Sequence, residues 1–181
     1  MTEGIAEGVA EGVETVVACV GCGGVVPRVD GPVHRYMTAS PGCWRAYTEL
    51  LAGGLPPSPA SGLTVDAYAV THPGVPGPQS TPSVWTHLLT LCFVLERRWP
   101  VERAIHLRRT GADAFDRWPW LTPPDSMGAV TAIDIDAAIR ARDGSAAVDL
   151  TRRWVDGAWA AWGSHHAAVR GRADSLSRLL G

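Results

Sequence analysis

A mainly α fold, an irregular bundle of about six helices with a small irregular lobe at the N-terminal end, is what three features of this sequence predict. Apolar residues recur at steps of three and four in its longest unbroken segments. Glycine and proline concentrate between those segments, and only residues 17–36 are too broken for a long element while holding a closely spaced cysteine pair. The 181 residues suffice for one domain with its own core. The division expected is a disordered or weakly helical tail over 1–17 and a single domain over 18–181, made of a lobe over 18–45 and a helical core over 46–181.

The first segment, MTEGIAEGVAEGVETVV, is acidic and glycine-studded with no basic stretch, so it does not read as a secretory signal. VACVGCGGVVPRVDGPVHRY suits a tight knuckle and a short hairpin. Ser40-Pro41 then opens a helix, with Ser40 as cap and Pro41 at the first position, and Gly53-Gly54 stops it. Trp44, Tyr47 and Leu51 share one of its faces. After the loop 55–62 a short helix spans Leu63 to His72 and ends before Pro73-Gly74. Ser80 or Thr81 caps the next and most apolar helix, SVWTHLLTLCFVLERRW, whose core stripe is Val84, Leu88, Leu91 and Leu95, with Cys92 buried beside it.

A helix restarts at Pro100 and runs through Arg109, followed by about twenty irregular residues in which Trp118 and Trp120 anchor the loop on the core. Thr131 with Asp134 three residues on resembles a capping box. The last helix is expected from Ala146 to Arg172, with Val155, Trp159, Trp162, His166 and Val169 on one inward face.

Absences narrow the chemistry. All 16 basic residues are arginine, which excludes Schiff-base lysine chemistry and a Walker A loop. There is no asparagine, hence no N-glycosylation site. G-x-S-x-G, H-E-x-x-H and G-x-G-x-x-G are missing, and with them the commonest hydrolase, zincin and dinucleotide signatures. A net charge of -2 argues against a nucleic-acid partner, and no apolar run has the length of a membrane span. A cytoplasmic location is expected.

Cys19-Val-Gly-Cys22-Gly has the spacing with which two thiolates grip one tetrahedral ion, the glycine letting the backbone turn toward the sulfurs. His34 and Cys43 follow closely enough to complete a Cys3His set, so the lobe is expected to be a zinc knuckle on Cys19, Cys22, His34 and Cys43. Metal binding would supply the folding free energy that so weakly hydrophobic a segment lacks. A thioredoxin-type pair would need a strand-to-helix setting, and a disulfide would need an oxidising compartment.

A second group of polar residues lies in apolar helices. Asp66 and His72 belong to the short helix, His87 to the most hydrophobic one, and His166 shares a face with two tryptophans. Asp66, His72, His87 and His166 are therefore expected to approach one another as a catalytic cluster, with His165 the alternative to His166 as the inward imidazole. The competing expectation is a set of core histidines, each with its own hydrogen-bond partner.

The series C-x-x-C-G, DGPVHRYM, SPGCW, VDAYAVTHPG, QSTPSVWTHLL, FDRWPWLTPP and W-x4-W-x2-W-x2-HH-x2-VR resembles a bacterial family catalogued as a domain of unknown function. The resemblance covers nearly all of residues 18–171. It places Cys19, Cys22, His34, Cys43, Asp66, Tyr68, His72, Ser83, His87, His165 and His166 among the family's characteristic positions. The chain departs in its acidic tail and in Ser164, where the family pattern often has proline. No reaction comes with the resemblance.

Two functions remain open from sequence. One is a zinc-binding small-molecule metalloenzyme, hydrolytic or of a lyase or cyclase type working by acid/base catalysis, with tryptophan walls suited to an apolar or aromatic substrate. The other is a non-catalytic zinc-stabilised module for protein interaction or regulation.

Overall fold

The computed structural model describes residues 15–111 and 117–180, with side chains for all of these except 108–111 and 180. The expected tail falls mostly on residues outside this range, and its end, Val16 and Val17, belongs to a strand. The chain is mainly α: among the described residues there are seven α-helices and one two-stranded sheet.

Strands β1 (Val16–Ala18) and β2 (Val25–Pro27) pair antiparallel, with Val17 opposite Val26. The Cys-x-x-C knuckle forms the turn between them, closed by the Cys19 amide on the Gly24 carbonyl at 2.8 Å and the Gly23 amide on the Cys19 carbonyl at 2.9 Å. Helix α1 (Pro41–Ala52) starts with proline in its first turn, as expected, but Ser40 does not cap it with its side chain. The Ser40 hydroxyl accepts instead from the Val20 amide at 3.2 Å, inside the knuckle.

A 3-10 turn, Ser61–Leu63, leads into α2 (Thr64–Thr71). Helix α3 (Ser80–Leu91) continues through a π turn over Cys92–Glu96, where the Arg97 amide reaches five residues back to the Cys92 carbonyl at 3.3 Å. Val84, Leu88, Leu91 and Cys92 are buried as the apolar stripe requires, whereas Leu95, within the π turn, is only half-buried. Helix α4 (Val101–Gly111) precedes the proline-rich loop. There Trp85 donates its indole N–H to the Pro119 carbonyl at 2.6 Å, and Trp118 packs 5.7 Å from the Trp85 ring. Trp118 and Leu121 anchor the loop on the core, while Trp120 is half-buried outside it.

Helix α5 (Ala132–Arg140) opens on the capping box that the sequence suggests: the Asp134 carboxylate accepts from the Thr131 amide at 2.7 Å and from its hydroxyl at 2.8 Å. Asp134→Ala is expected to lower stability by about 1 kcal/mol, the ordinary worth of a helix cap, measurable by urea unfolding.

The expected single C-terminal helix is two. Helix α6 (Gly144–Ala161) ends at Trp162, a 3-10 turn covers Gly163–His165, and α7 (His166–Leu180) follows. The Trp162 and His165 amides both reach back three residues, at 3.1 and 2.8 Å, so the helix tightens at Gly163 and loses its register. Val155, Trp159, Trp162 and Val169 are nonetheless all buried. His166 drops from that face, only half-buried.

Helix α2 lies between α3 and α6, α1 packs on α5, and α5 on α6. The indole of Trp162 donates to the Val70 carbonyl at 3.1 Å and ties the end of α6 to α2. One apolar core, with Tyr68, Trp85, Phe93, Trp154 and Trp162 as its largest buried side chains, fills the space between these helices and reaches Cys19 and Val26 of the hairpin. No helix among the described residues is long and apolar enough to cross a membrane.

Candidate metal centre

The hairpin turn, the first turn of α1 and the end of α2 meet at four side chains: Cys19, Cys22, Cys43 and His72. One ligand atom from each lies within 4.8 Å of every other, an arrangement that fits a metal ion. Cys43 Sγ is 3.3 Å from His72 Nε2 and 3.8 Å from Cys22 Sγ, and Cys19 Sγ is 3.7 Å from His72 Nε2. Cys19, Cys43 and His72 are buried and Cys22 is half-buried. All three thiols are free, so no disulfide competes for them.

Each side chain arrives from a different local device. Cys43 is carried on the first turn of α1, just after Pro41. His72 stands where α2 stops, because Pro73 cannot continue the helix. Its Nδ1–H donates to the Tyr68 carbonyl four residues back at 2.9 Å, one of the carbonyls a helix end leaves unpaired, and this leaves Nε2 to face the sulfurs. The ring also stacks on Tyr68 at 3.9 Å, and Tyr68 on Tyr47 at 3.8 Å, so an aromatic column fixes its plane. The Ser40 amide donates to Cys19 Sγ at 3.4 Å and the Tyr68 hydroxyl to Cys43 Sγ at 3.8 Å. Gly21 makes the close approach feasible: a Cβ there would stand 2.0 Å from the Thr38 carbonyl oxygen and 2.5 Å from His72 Cδ2.

The electrostatics favour a cation. Hydrogen bonds from Cys22 and Cys43 hold the Cys19 thiol far below the ordinary range. The same sulfur neighbours, Cys19 first, push Cys43 far above it. Burial opposes a charged His72, yet its sulfur neighbours, Cys19 foremost, raise its pKa to about 9. Three sulfurs this close cannot all ionise against one another, whereas a bound cation lets each become a thiolate ligand.

Three of the four expected ligands are thus brought together, and the fourth place belongs to His72, not His34. His34 sits apart among rings, 4.5 Å from Tyr36 and 5.2 Å from Trp44, its Nδ1 buried with no hydrogen-bond partner among the described residues. Burial lowers its pKa. The sequence-local histidine looked sufficient, but the helix end at His72-Pro73-Gly74 folds back over the lobe. Gly74, at φ +77, passes so close that a Cβ would lie 2.1 Å from the Tyr36 carbonyl oxygen.

Asp66, His72, His87 and His166 do not assemble as one cluster. His72 is engaged with the sulfurs. His87 Nδ1–H donates to Asp66 Oδ1 at 2.8 Å, the carboxylate fully buried and the imidazole 12% exposed. His166 stacks on Trp159 at 3.8 Å and donates from Nε2 to the Trp159 carbonyl at 3.0 Å, with Glu96 4.0 Å from its Nδ1. His165 donates to the Thr122 carbonyl at 2.9 Å. Reading one helical face across Gly163 placed His166 with the inward tryptophans, and the 3-10 turn there turns it elsewhere. Gly163-Ser164 was the local signal for that break.

The profile of a family of unknown function, DUF5946, matches residues 17–163. The chain belongs to that family. No curated protein and no solved structure matches it.

Proposed function

We propose that this chain is a zinc-stabilised helical module in which Cys19, Cys22, Cys43 and His72 hold one structural zinc ion. Ligand spacing carries the reading. Around a tetrahedral zinc with sulfur at about 2.3 Å and imidazole nitrogen at about 2.0 Å, sulfurs stand about 3.8 Å apart and sulfur and nitrogen about 3.5 Å. Here Cys22 and Cys43 sulfurs are 3.8 Å apart, the His72 nitrogen is 3.3 Å from Cys43 and 3.7 Å from Cys19, and the other pairs lie within 4.8 Å. Four protein ligands leave no position for a substrate, the pattern of a structural site.

The ion would join the hairpin to α1 and α2, a connection the short strands could not maintain by themselves. Cysteines kept as thiols and soft zinc-thiolate chemistry suit a reducing, cytoplasmic compartment. Elemental analysis and X-ray absorption of purified protein should give one zinc per chain with three sulfur ligands and one nitrogen. A metal-free folded protein, or an oxygen-dominated shell, would overturn the reading.

The metalloenzyme reading keeps one supporting observation, the Asp66–His87 pair. A buried carboxylate that fixes an imidazole's tautomer is the arrangement of a general base, so hydrolysis or another proton-transfer reaction on an apolar or aromatic small molecule would centre on His87. On that reading a panel of ester, amide and phosphoester substrates would reveal an activity that His87→Gln removes while the melting temperature holds. A panel without turnover, or turnover untouched by His87→Gln, would leave the non-catalytic module.

A further inference from the structure

Away from the cysteines, a half-open cavity of about 350 Å³ lies between the loop and 3-10 turn that lead into α2, the π turn after α3 and the middle of α6. Its walls are apolar, with Leu63, Val94, Leu95, Val148 and Val155 foremost, and its size is that of a small-molecule pocket. Arg98 and Arg152 stand at the same cavity, with Asp156 beside them.

The two arginines differ. Arg152 is already shared between Asp149 at 2.6 Å and Asp156 at 3.6 Å. Arg98 makes no hydrogen bond or ion pair with any other described residue. Its neighbour Arg97 turns the other way, to Asp174 at 2.5 Å and to Ser177 and the Arg170 carbonyl, both at 3.3 Å. The two part because Arg98 takes a left-handed backbone, φ +59, immediately after the π turn. A non-glycine residue rarely adopts that conformation, and such strain and π turns both concentrate at binding sites.

We propose that this cavity binds a small amphipathic carboxylate, its apolar chain lying among Leu63, Leu95 and Val155 and its carboxylate on the Arg98 guanidinium. Guanidinium and carboxylate match as a two-point pair, and Asp156 at the rim disfavours a second negative charge, which selects a monoanion over a phosphate. The site is independent of the zinc reading, since its lining includes none of the four ligands.

Decanoate is the probe, titrated into the full-length protein by calorimetry at concentrations below its micelle range. Saturable binding of one molecule per chain is expected, with decanol binding at least about tenfold more weakly because it lacks the charge. Arg98→Gln should weaken decanoate about tenfold or more, and Val148→Phe, which fills the cavity from an incompletely buried helix position, should remove binding. Both variants should keep wild-type circular dichroism, so that a loss is not read from unfolded protein. No saturable binding of decanoate overturns the proposal, as does binding that neither variant changes. Loss in Val148→Phe with full affinity in Arg98→Gln overturns its charged half.

Discussion

Cys43→Ser is expected to release the proposed zinc ion and unfold the N-terminal lobe. Cys43 is fully buried, with its sulfur 3.8 Å from Cys22 Sγ and 3.3 Å from His72 Nε2. Structural zinc contributes on the order of 10 kcal/mol to the folding of small metal-dependent units, comparable to the whole stability of an ordinary domain. Excess chelator on the wild-type protein should act in the same direction, with loss of zinc and a fall in melting temperature by tens of degrees. Helices α3, α6 and α7 carry much of their own apolar core, so residual helical circular dichroism should survive when the lobe is lost. A chelated protein that is zinc-free and melts unchanged would contradict the structural role.

Gly21→Ala is the second large effect. The added methyl carbon would meet the Thr38 carbonyl at 2.0 Å and His72 Cδ2 at 2.5 Å, and the first of these is backbone that cannot swing aside. Relief requires the knuckle to move away from α2, which separates Cys19 and Cys22 from His72. A loss of about 3 kcal/mol or more is expected, with weaker zinc retention in the presence of chelator. Gly23→Ala is the informative comparison. Gly23 has φ +75 but nothing within 4 Å of its missing Cβ, so the cost there is backbone strain alone and should be smaller. Urea unfolding of both variants, monitored with zinc content, ranks them. Equal effects would show that the close approach at Gly21 is unimportant.

The helices were legible in the sequence because their signals are local: the Thr131–Asp134 capping box, Pro41 at the start of α1, and the stripe Val84, Leu88 and Leu91. The hairpin and the cysteine part of the site were legible for the same reason, since two cysteines three apart must turn together. The histidine was not. His72 reaches the sulfurs from a helix end more than fifty residues after Cys19 in the chain, and sequence spacing carries no information about how α2 docks on the hairpin. The one local signal that could have pointed to it is the proline-terminated helix, whose end carbonyls are left free to accept from an imidazole N–H. Ser40 was misread by the same limit. It has the right type and place for a cap, yet its hydroxyl serves the Val20 amide of the knuckle. Gly21 gave no signal at all, because the contact that requires it lies with Thr38 and His72.

His72→Ala and His34→Ala, compared for zinc bound per chain after dialysis against a chelator, test the central assignment most directly. His72→Ala should lose its zinc, having left three sulfurs with no fourth ligand, while His34→Ala should retain wild-type zinc and lose only the packing of its ring against Tyr36 and Trp44. Retention by His72→Ala together with loss by His34→Ala would return the fourth ligand to the lobe and contradict the site described.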